Sequence, residues 1–179
     1  MTNETTHNSA LKEIRAIAFD VDGVLTDGGV WWGAAGEEWK RFSFLDIMGV
    51  SLARRAGLKL ALISGEDSPL VERFAAKMHI THVFKGCRDK AAALREFSDS
   101  AQIALPAICF MGDDVNDLPA MKIAGFSAAP ASAAREVRSF VGFHTQNPGG
   151  NGAVRELVEA ILAAKGLQAA DVFVRTAAP

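Results

Sequence analysis

Apolar and polar positions along this chain fall into blocks that predict strands and helices in turn. Short apolar runs at residues 16–19, 58–63 and 107–111 have the length of buried strands. Between them, apolar residues spaced three and four apart, as from Leu70 to Met78, predict amphipathic helices. Strands that alternate with helices are typical of a parallel sheet covered on both faces. We therefore predict an α/β fold built on a doubly wound, mostly parallel sheet.

Turn and capping signals give the remaining boundaries. Ser68 before Pro69 has the composition of a helix start, and Gly57 that of a helix stop. The further predicted helices are 46–55, 89–97, one beginning near 116 or 117, and 152–164; the further predicted strands are 81–84, 125–129 and 140–143. Beyond Gly166 the pattern fades, and we expect residues 177–179 to fray.

Two β-rich runs around Ala34-Ala35-Gly36 interrupt this alternation and predict a β-hairpin at about residues 29–44. No repeat and no linker divides the chain. We therefore predict a single domain over residues 1–179, with its core at about 15–164.

Polar residues follow three of the predicted strands. Asp20 and Asp22 come after the first, Ser64 after the second, and the pair Asp113-Asp114 after a later one. An Asp-x-Asp pair alone is commonly a solvated turn. Because open α/β sheets bind ligands at the carboxyl ends of their strands, the ordered set instead indicates one functional site at that edge.

Together with Lys90, the segments 19–26 and 112–117 make this set resemble the haloacid dehalogenase superfamily of aspartate-nucleophile phosphotransferases. The resemblance extends over about residues 15–162. It implies a Rossmann-like sheet of that type, a Mg²⁺ cofactor and phosphomonoesterase activity through an aspartyl-phosphate.

The resemblance also implies roles for individual residues. Asp20 would be the nucleophile and Asp22 the general acid and base. The carboxylates of Asp20 and Asp113, with the backbone carbonyl of Asp22, would bind Mg²⁺, which prefers oxygen ligands. Lys90 would screen the negative charge of the nucleophile and of the phosphoryl group.

The phosphate group would be held by other parts of the same motifs. Ser64 and the backbone N–H groups of Val21, Asp22 and Gly65 are expected to hydrogen-bond its oxygens. Asp114 and Asp117 are expected to orient waters and the groups that bind the metal.

Two other functional classes share parts of this pattern. A two-component receiver domain carries an acidic cluster, a hydroxyl and a lysine, but its adjacent acidic pair precedes a lone phosphoacceptor. Here the spaced pair Asp20 and Asp22 comes first, and Gly112-Asp113-Asp114 last. A non-catalytic protein of the same fold is the other alternative, although every motif residue needed for turnover is present.

The short spacings between motifs leave no room for a cap domain, so we expect neighbouring subunits to complete the substrate site. Residues 22–28, 36–38 and 149–156 resemble one capless, tetrameric family, the 3-deoxy-D-manno-octulosonate 8-phosphate phosphatases and their nonulosonate 9-phosphate relatives. The resemblance implies a homotetramer, with the hairpin tryptophans as a candidate interface. It also gives Arg155 a possible substrate carboxylate as partner; the alternative is a solvated Arg155.

Specificity within that family is the finer question. The octulosonate type has Thr-Gly-Arg and Arg-Asp-Gly where this chain has Ser64-Gly65-Glu66 and Leu45-Asp46-Ile47. Glu66 with Lys77 resembles the pair of the nonulosonate type, which modestly favours a nonulosonate 9-phosphate. Both residues could instead be helix-surface charge, and another small phosphorylated sugar remains the alternative substrate.

Composition adds few constraints. The net charge of −2 gives no reason to expect nucleic acid or an anionic membrane as a partner. The polar segment 1–9 lacks an apolar signal core, which favours the cytoplasm. Cys87 and Cys109, the two cysteines, have no metal or redox spacing.

Overall fold

A six-stranded parallel sheet forms the centre of the computed structural model, which describes residues 3–175. Its strands are β1 Ala16–Phe19, β4 Lys59–Ile63, β5 His82–Phe84, β6 Ile108–Met111, β7 Phe126–Ala129 and β8 Phe143–His144. They lie in the order β5-β4-β1-β6-β7-β8. The neighbours of β1 are therefore β4 and β6, and the chain reaches each of them through a crossover connection. The predicted doubly wound α/β fold is confirmed.

Within residues 3–175 the sheet is accompanied by eight α-helices, namely α1 Asn3–Glu13, α2 Phe44–Arg55, α3 Pro69–Met78, α4 Lys90–Ala101, α5 Leu118–Ile123, α6 Arg135–Phe140, α7 Ala153–Ala164 and α8 Ala169–Arg175. The alternating side chains of β1 enter two apolar cores. Ile17 and Phe19 belong to one, and Ala16 and Ala18 to the other. All four are completely buried, which explains the unbroken apolar run in the sequence.

Among the described residues, no helix is long and apolar enough to cross a membrane.

Several elements differ from the sequence prediction. The run 140–143 was expected to be a strand, but α6 ends at Phe140 and only Phe143–His144 pairs with β7. Helix α2 begins at Phe44 instead of Asp46, because Ser43 caps its N-terminus and accepts from Leu45 N–H. Helices α1 and α8 were not predicted, and residues 177–179 lie outside the described part.

The hairpin after β1 is short, and its base is anchored. Its strands are β2 Trp31–Trp32 and β3 Glu38–Trp39, which pair antiparallel. Beyond β3, Phe42 forms a bridge with Thr26, and its ring stacks on Phe74 at 4.7 Å. These contacts fix the returning chain beside the loop that follows β1.

Helices α2 and α7 are joined by a buried carboxylate. Asp46, 1% exposed, accepts hydrogen bonds from the backbone N–H groups of Gly152 and Val154, both at 2.9 Å. Asp46, a residue of α2, therefore caps the first turn of α7. The N-cap residue of α7 itself, Gly152, provides no side-chain cap. Close approach of the helices needs Gly49, since an added Cβ would lie 2.6 Å from the Cα of Arg155.

We predict that Asp46→Ala lowers the free energy of unfolding by about 2–3 kcal/mol, because it leaves buried N–H groups of α7 without an acceptor. Urea denaturation followed by circular dichroism measures the change. Asp89→Ala is the matched control, because Asp89 caps α4 in an exposed setting and should cost about 1 kcal/mol. An Asp46 effect no larger than the Asp89 effect would contradict this role.

Candidate active site

A cleft of about 330 Å³ opens at the carboxyl edge of the sheet, where β1, β4 and β6 end. It is lined by the predicted site residues Asp20, Asp22, Ser64, Gly65, Glu66, Lys90, Asp113 and Asp114, together with Val115 and Asn116. The structure therefore brings the three sequence motifs together, as their positions at strand ends predicted.

Lys90 connects two buried carboxylates. Its ammonium lies 2.9 Å from Asp20 and 2.6 Å from Asp117, and its side chain is 2% exposed. Lys90 is the first residue of α4, which follows the N-cap Asp89. Its pKa is raised despite burial, since Asp20 and then Asp117 favour the charged form. The ion pair with Lys90 holds the buried Asp20 carboxylate in one orientation where it lines the cleft.

Asp117 also organises the loop after β6. One of its oxygens accepts the backbone N–H groups of Asp113 and Asp114, at 2.9 and 3.2 Å, while the other receives Lys90. An added Cβ at Gly112 would collide with this carboxylate. Because both oxygens of Asp117 are already engaged, its contacts support an orienting role for it.

The metal-binding potential of the site rests on its carboxylates. One oxygen from each of Asp20, Asp113 and Asp117 lies within 4.8 Å of the others. Burial and then Asp117 raise the pKa of Asp20 to about 6; burial and then Asp20 raise the pKa of Asp113 to about 8. Lys90 alone does not neutralise this cluster, so a divalent cation with oxygen preference fits the donors present. Asp20 and Asp113 would hold it.

Asp22 faces a different cation. Both oxygens of its carboxylate lie 3.0 Å from the ammonium of Lys40, whose side chain is 3% exposed. Lys40 comes from the chain just beyond β3 of the hairpin. Asp22 does not belong to the acidic cluster around Asp20, so the two aspartates of the first motif are held in separate surroundings.

Ser64 directly follows β4 and lines the same cleft. It is 1% exposed, and its hydroxyl oxygen accepts the backbone N–H of Glu66 at 3.1 Å. The hydroxyl proton can still be donated to a phosphate oxygen. Glu66 is exposed and lines the cleft. Of the three side chains predicted to bind substrate, Glu66, Lys77 and Arg155, it is the one that lines the cleft of its own chain.

Two predicted substrate-binding residues lie elsewhere. Arg155 pairs with Glu159 at 2.8 Å and faces an apolar groove beside Phe173. The ammonium of Lys77 lies over the ring of Phe44, 5.4 Å from its centroid. Neither lines the cleft of its own chain.

Lys40 and Asn116, which the structure places at or beside the cleft, carry no role predicted from the sequence. Asn116 lies within the Gly112–Asp117 motif, so its position could have been inferred from it. Lys40 is a single lysine in a charged hairpin, and no spacing signal distinguishes it.

With this geometry established, comparison with known proteins identifies the family. Residues 46–157 match the haloacid dehalogenase-like hydrolases. The chain belongs to this family. The matched stretch contains Ser64, Lys90 and Asp113, the cleft residues that follow the first motif. The chain is 36% identical over 155 residues to the 3-deoxy-D-manno-octulosonate 8-phosphate phosphatase KdsC of Escherichia coli K12, and the match covers 87% of this chain and 82% of that one.

Solved structures of such phosphatases share the fold of this haloacid dehalogenase-like chain. The Moraxella catarrhalis enzyme, in complex with magnesium, phosphate and a KDO molecule, superposes with a TM-score of 0.90 at 35% identity, covering 99% of this chain and 100% of that one. The Yersinia pestis enzyme gives 0.87 at 34% identity, covering 89% and 86%. Like the family's capless members, residues 3–175 carry only the hairpin as an insertion between β1 and α2.

The raised carboxylate pKa values give a prediction on stability. Without a divalent cation, protonated Asp113 adds stability below about pH 4, and this stability is lost as the pH rises toward the folded-state pKa of about 8. Asp113→Asn does not titrate. In EDTA, the melting temperature of the variant should therefore rise relative to that of the wild type between about pH 5 and pH 8.

Mg²⁺ should stabilise the wild type and not the Asp113→Asn variant. At about one hundred times its Kd, it should raise the wild-type melting temperature by roughly 5–10 °C and leave that of Asp113→Asn almost unchanged. Differential scanning calorimetry measures both effects, with the exposed Asp99→Asn on α4 as the control. A wild-type-to-variant difference that stays constant across this pH range would refute the charge repulsion.

Proposed function

We propose that this protein is a Mg²⁺-dependent phosphatase of a 2-keto-3-deoxy sugar-acid phosphate, which acts through a phosphorylated Asp20. The observation that carries the proposal is the cleft in which Asp20 lies 2.9 Å from a buried Lys90, with Asp22, Ser64 and Asp113 around it. Mg²⁺, when bound, supplies positive charge to the phosphoryl oxygens and to Asp20.

In the first half-reaction, an oxygen of Asp20 attacks phosphorus, and the bond to the sugar oxygen breaks. Asp22 donates a proton to that oxygen, so the sugar leaves as a neutral alcohol. Lys90 keeps the attacking carboxylate oriented, and Ser64 donates a hydrogen bond to a phosphoryl oxygen.

In the second half-reaction, the Asp22 carboxylate takes a proton from a water molecule as that water attacks phosphorus. The bond between Asp20 and phosphorus breaks, which releases inorganic phosphate and restores both aspartates. Asp117 holds the loop that carries Asp113 throughout, since it binds the backbone N–H groups of Asp113 and Asp114.

The likeness to the octulosonate 8-phosphate phosphatases supports the substrate class. Between that eight-carbon substrate and a nonulosonate 9-phosphate, Glu66 modestly favours the longer one, because its carboxylate would repel a sugar-acid carboxylate placed close to the phosphate. Lys77 and Arg155 lie outside the cleft of their own chain, so a role in binding would require a neighbouring subunit.

A kcat/KM panel over both sugar-acid phosphates and simple sugar phosphates tests the function. We expect Mg²⁺-dependent release of phosphate, with kcat/KM highest for a sugar acid. Asp20→Asn should abolish turnover, because the amide is a poor nucleophile and a weaker metal ligand. Turnover of that variant within about tenfold of wild type would exclude Asp20 as the nucleophile, and phosphorylation without steady-state turnover would favour a receiver-type protein instead.

The same panel tests the role of Glu66. Glu66→Arg should shift the ratio of kcat/KM toward the octulosonate by roughly tenfold or more, as expected for one pocket contact. Glu96→Arg, an exposed change on α4 outside the cleft, is the control. An unchanged ratio would mean that Glu66 is surface charge.

We also propose that the protein assembles as a homotetramer, in part through the hairpin, and that it works in the cytoplasm. Trp31, Trp32 and Trp39 are 52%, 77% and 52% exposed, so their own subunit leaves at least half of each side chain uncovered. An exposed apolar surface of this kind is typical of an interface. Without a cap, a lone subunit would leave much of the sugar in water.

Sedimentation velocity should show a tetramer that Trp32→Ser weakens. Val174→Ser, which changes another exposed apolar residue on α8, is the matched control and should leave the sedimentation coefficient unchanged. A wild-type monomer with full activity at assay concentrations would contradict the proposed assembly.

A further inference from the structure

Lys40 has an environment unlike that of a surface lysine. Its side chain is 3% exposed although it comes from an otherwise exposed hairpin. Both oxygens of Asp22 lie 3.0 Å from its ammonium, and its other carboxylate partner, Glu38, is farther away at 3.5 Å. Burying an ammonium costs free energy unless it is paired, so the Asp22 contact is what makes this position tenable.

The chain that directly follows Lys40 is fixed to the loop after β1. The guanidinium group of Arg41 donates to the Asp27 carboxylate at 3.0 Å and to the backbone carbonyl of Gly150 at 2.9 Å. Next to it, Phe42 forms the bridge with Thr26. Lys40 therefore approaches Asp22 from a defined direction instead of as a mobile side chain.

We infer that Lys40 is a positioning residue for the proton transfer by Asp22. It holds the Asp22 carboxyl group apart from the cation-binding cluster of Asp20 and Asp113 and directed toward the leaving group. Asp22 is two residues from Asp20, and without Lys40 its carboxylate would turn toward the divalent cation, the strongest positive charge nearby. An Asp22 bound to the cation could no longer give a proton to the departing oxygen.

This inference rests on the proposed phosphatase activity. Substrates whose leaving groups differ in basicity distinguish a failure of the inference from a failure of the proposed activity. In a mechanism with a covalent intermediate, kcat/KM reports the steps up to phosphorylation of Asp20. A phenolate ion needs protonation to leave, whereas 4-nitrophenolate is stable and leaves without it. Proton transfer thus contributes to kcat/KM for phenyl phosphate far more than for 4-nitrophenyl phosphate.

Lys40→Met keeps the length of the side chain and removes the charge. Its kcat/KM should fall on the order of 10²-fold for phenyl phosphate and by less than roughly threefold for 4-nitrophenyl phosphate. Asp22→Asn should show the same selectivity. Lys40→Gln is the second variant should Lys40→Met fail to fold, as judged by circular dichroism, and the same selectivity is expected of it.

Arg41→Gln is the matched control, since it loosens the same segment without touching Asp22. It should lower kcat/KM for both esters by equal factors. Equal losses for the two esters in the Lys40 variants would overturn the positioning role while leaving the phosphatase intact. A wild-type protein that hydrolyses neither these esters nor a sugar-acid phosphate in Mg²⁺ would overturn the proposed function itself.

Discussion

The repulsion among carboxylates at the carboxyl edge of the sheet is the constraint on which the site depends. Parallel strands β1 and β6 end side by side, so Asp20 and Asp113 necessarily meet there. Such a cluster is unfavourable in a folded protein unless positive charge is brought to it. Lys90 supplies part of that charge, and a divalent cation fits the rest. The same positive charge that relieves the repulsion among the carboxylates is also needed to bind and stabilise the negatively charged phosphoryl group.

Most of the fold could be predicted because its signals are local. The strands β1, β4 and β6 are buried on both faces and therefore appear as continuous apolar runs. The edge of the sheet was harder. Phe140, Val141 and Phe143 form an apolar run, yet Phe140 ends helix α6 and is 43% exposed, because burial of Val137 in the neighbouring core outweighs the local preference for a strand. Helix α8 also depends on tertiary contact, since α2 packs against it.

The residues of the candidate site also fall into those that local sequence predicts and those that depend on tertiary structure. Residues within motifs, such as Asp20 and Asp113, were placed by their positions at strand ends. Residues that reach the site from a distance were not. Lys40 arrives by the path of the hairpin, which no periodicity encodes, and Arg155 points away because its helix begins where Asp46 holds it. Sequence therefore indicated which chemistry was possible but not how the proton-transfer group is oriented.

The hairpin also has a practical consequence for anyone modifying this protein. Its returning chain is anchored at Arg41 and Phe42, while the turn at Ala34 and Ala35 is exposed, and its hydrogen bonds within residues 3–175 are made inside the hairpin. A fluorescent label or a short peptide inserted in this turn would leave the base of the hairpin in place. Trimming the whole hairpin to a tight loop, a common way to simplify a scaffold for crystallisation or design, would remove a charged side chain from the interior of the enzyme.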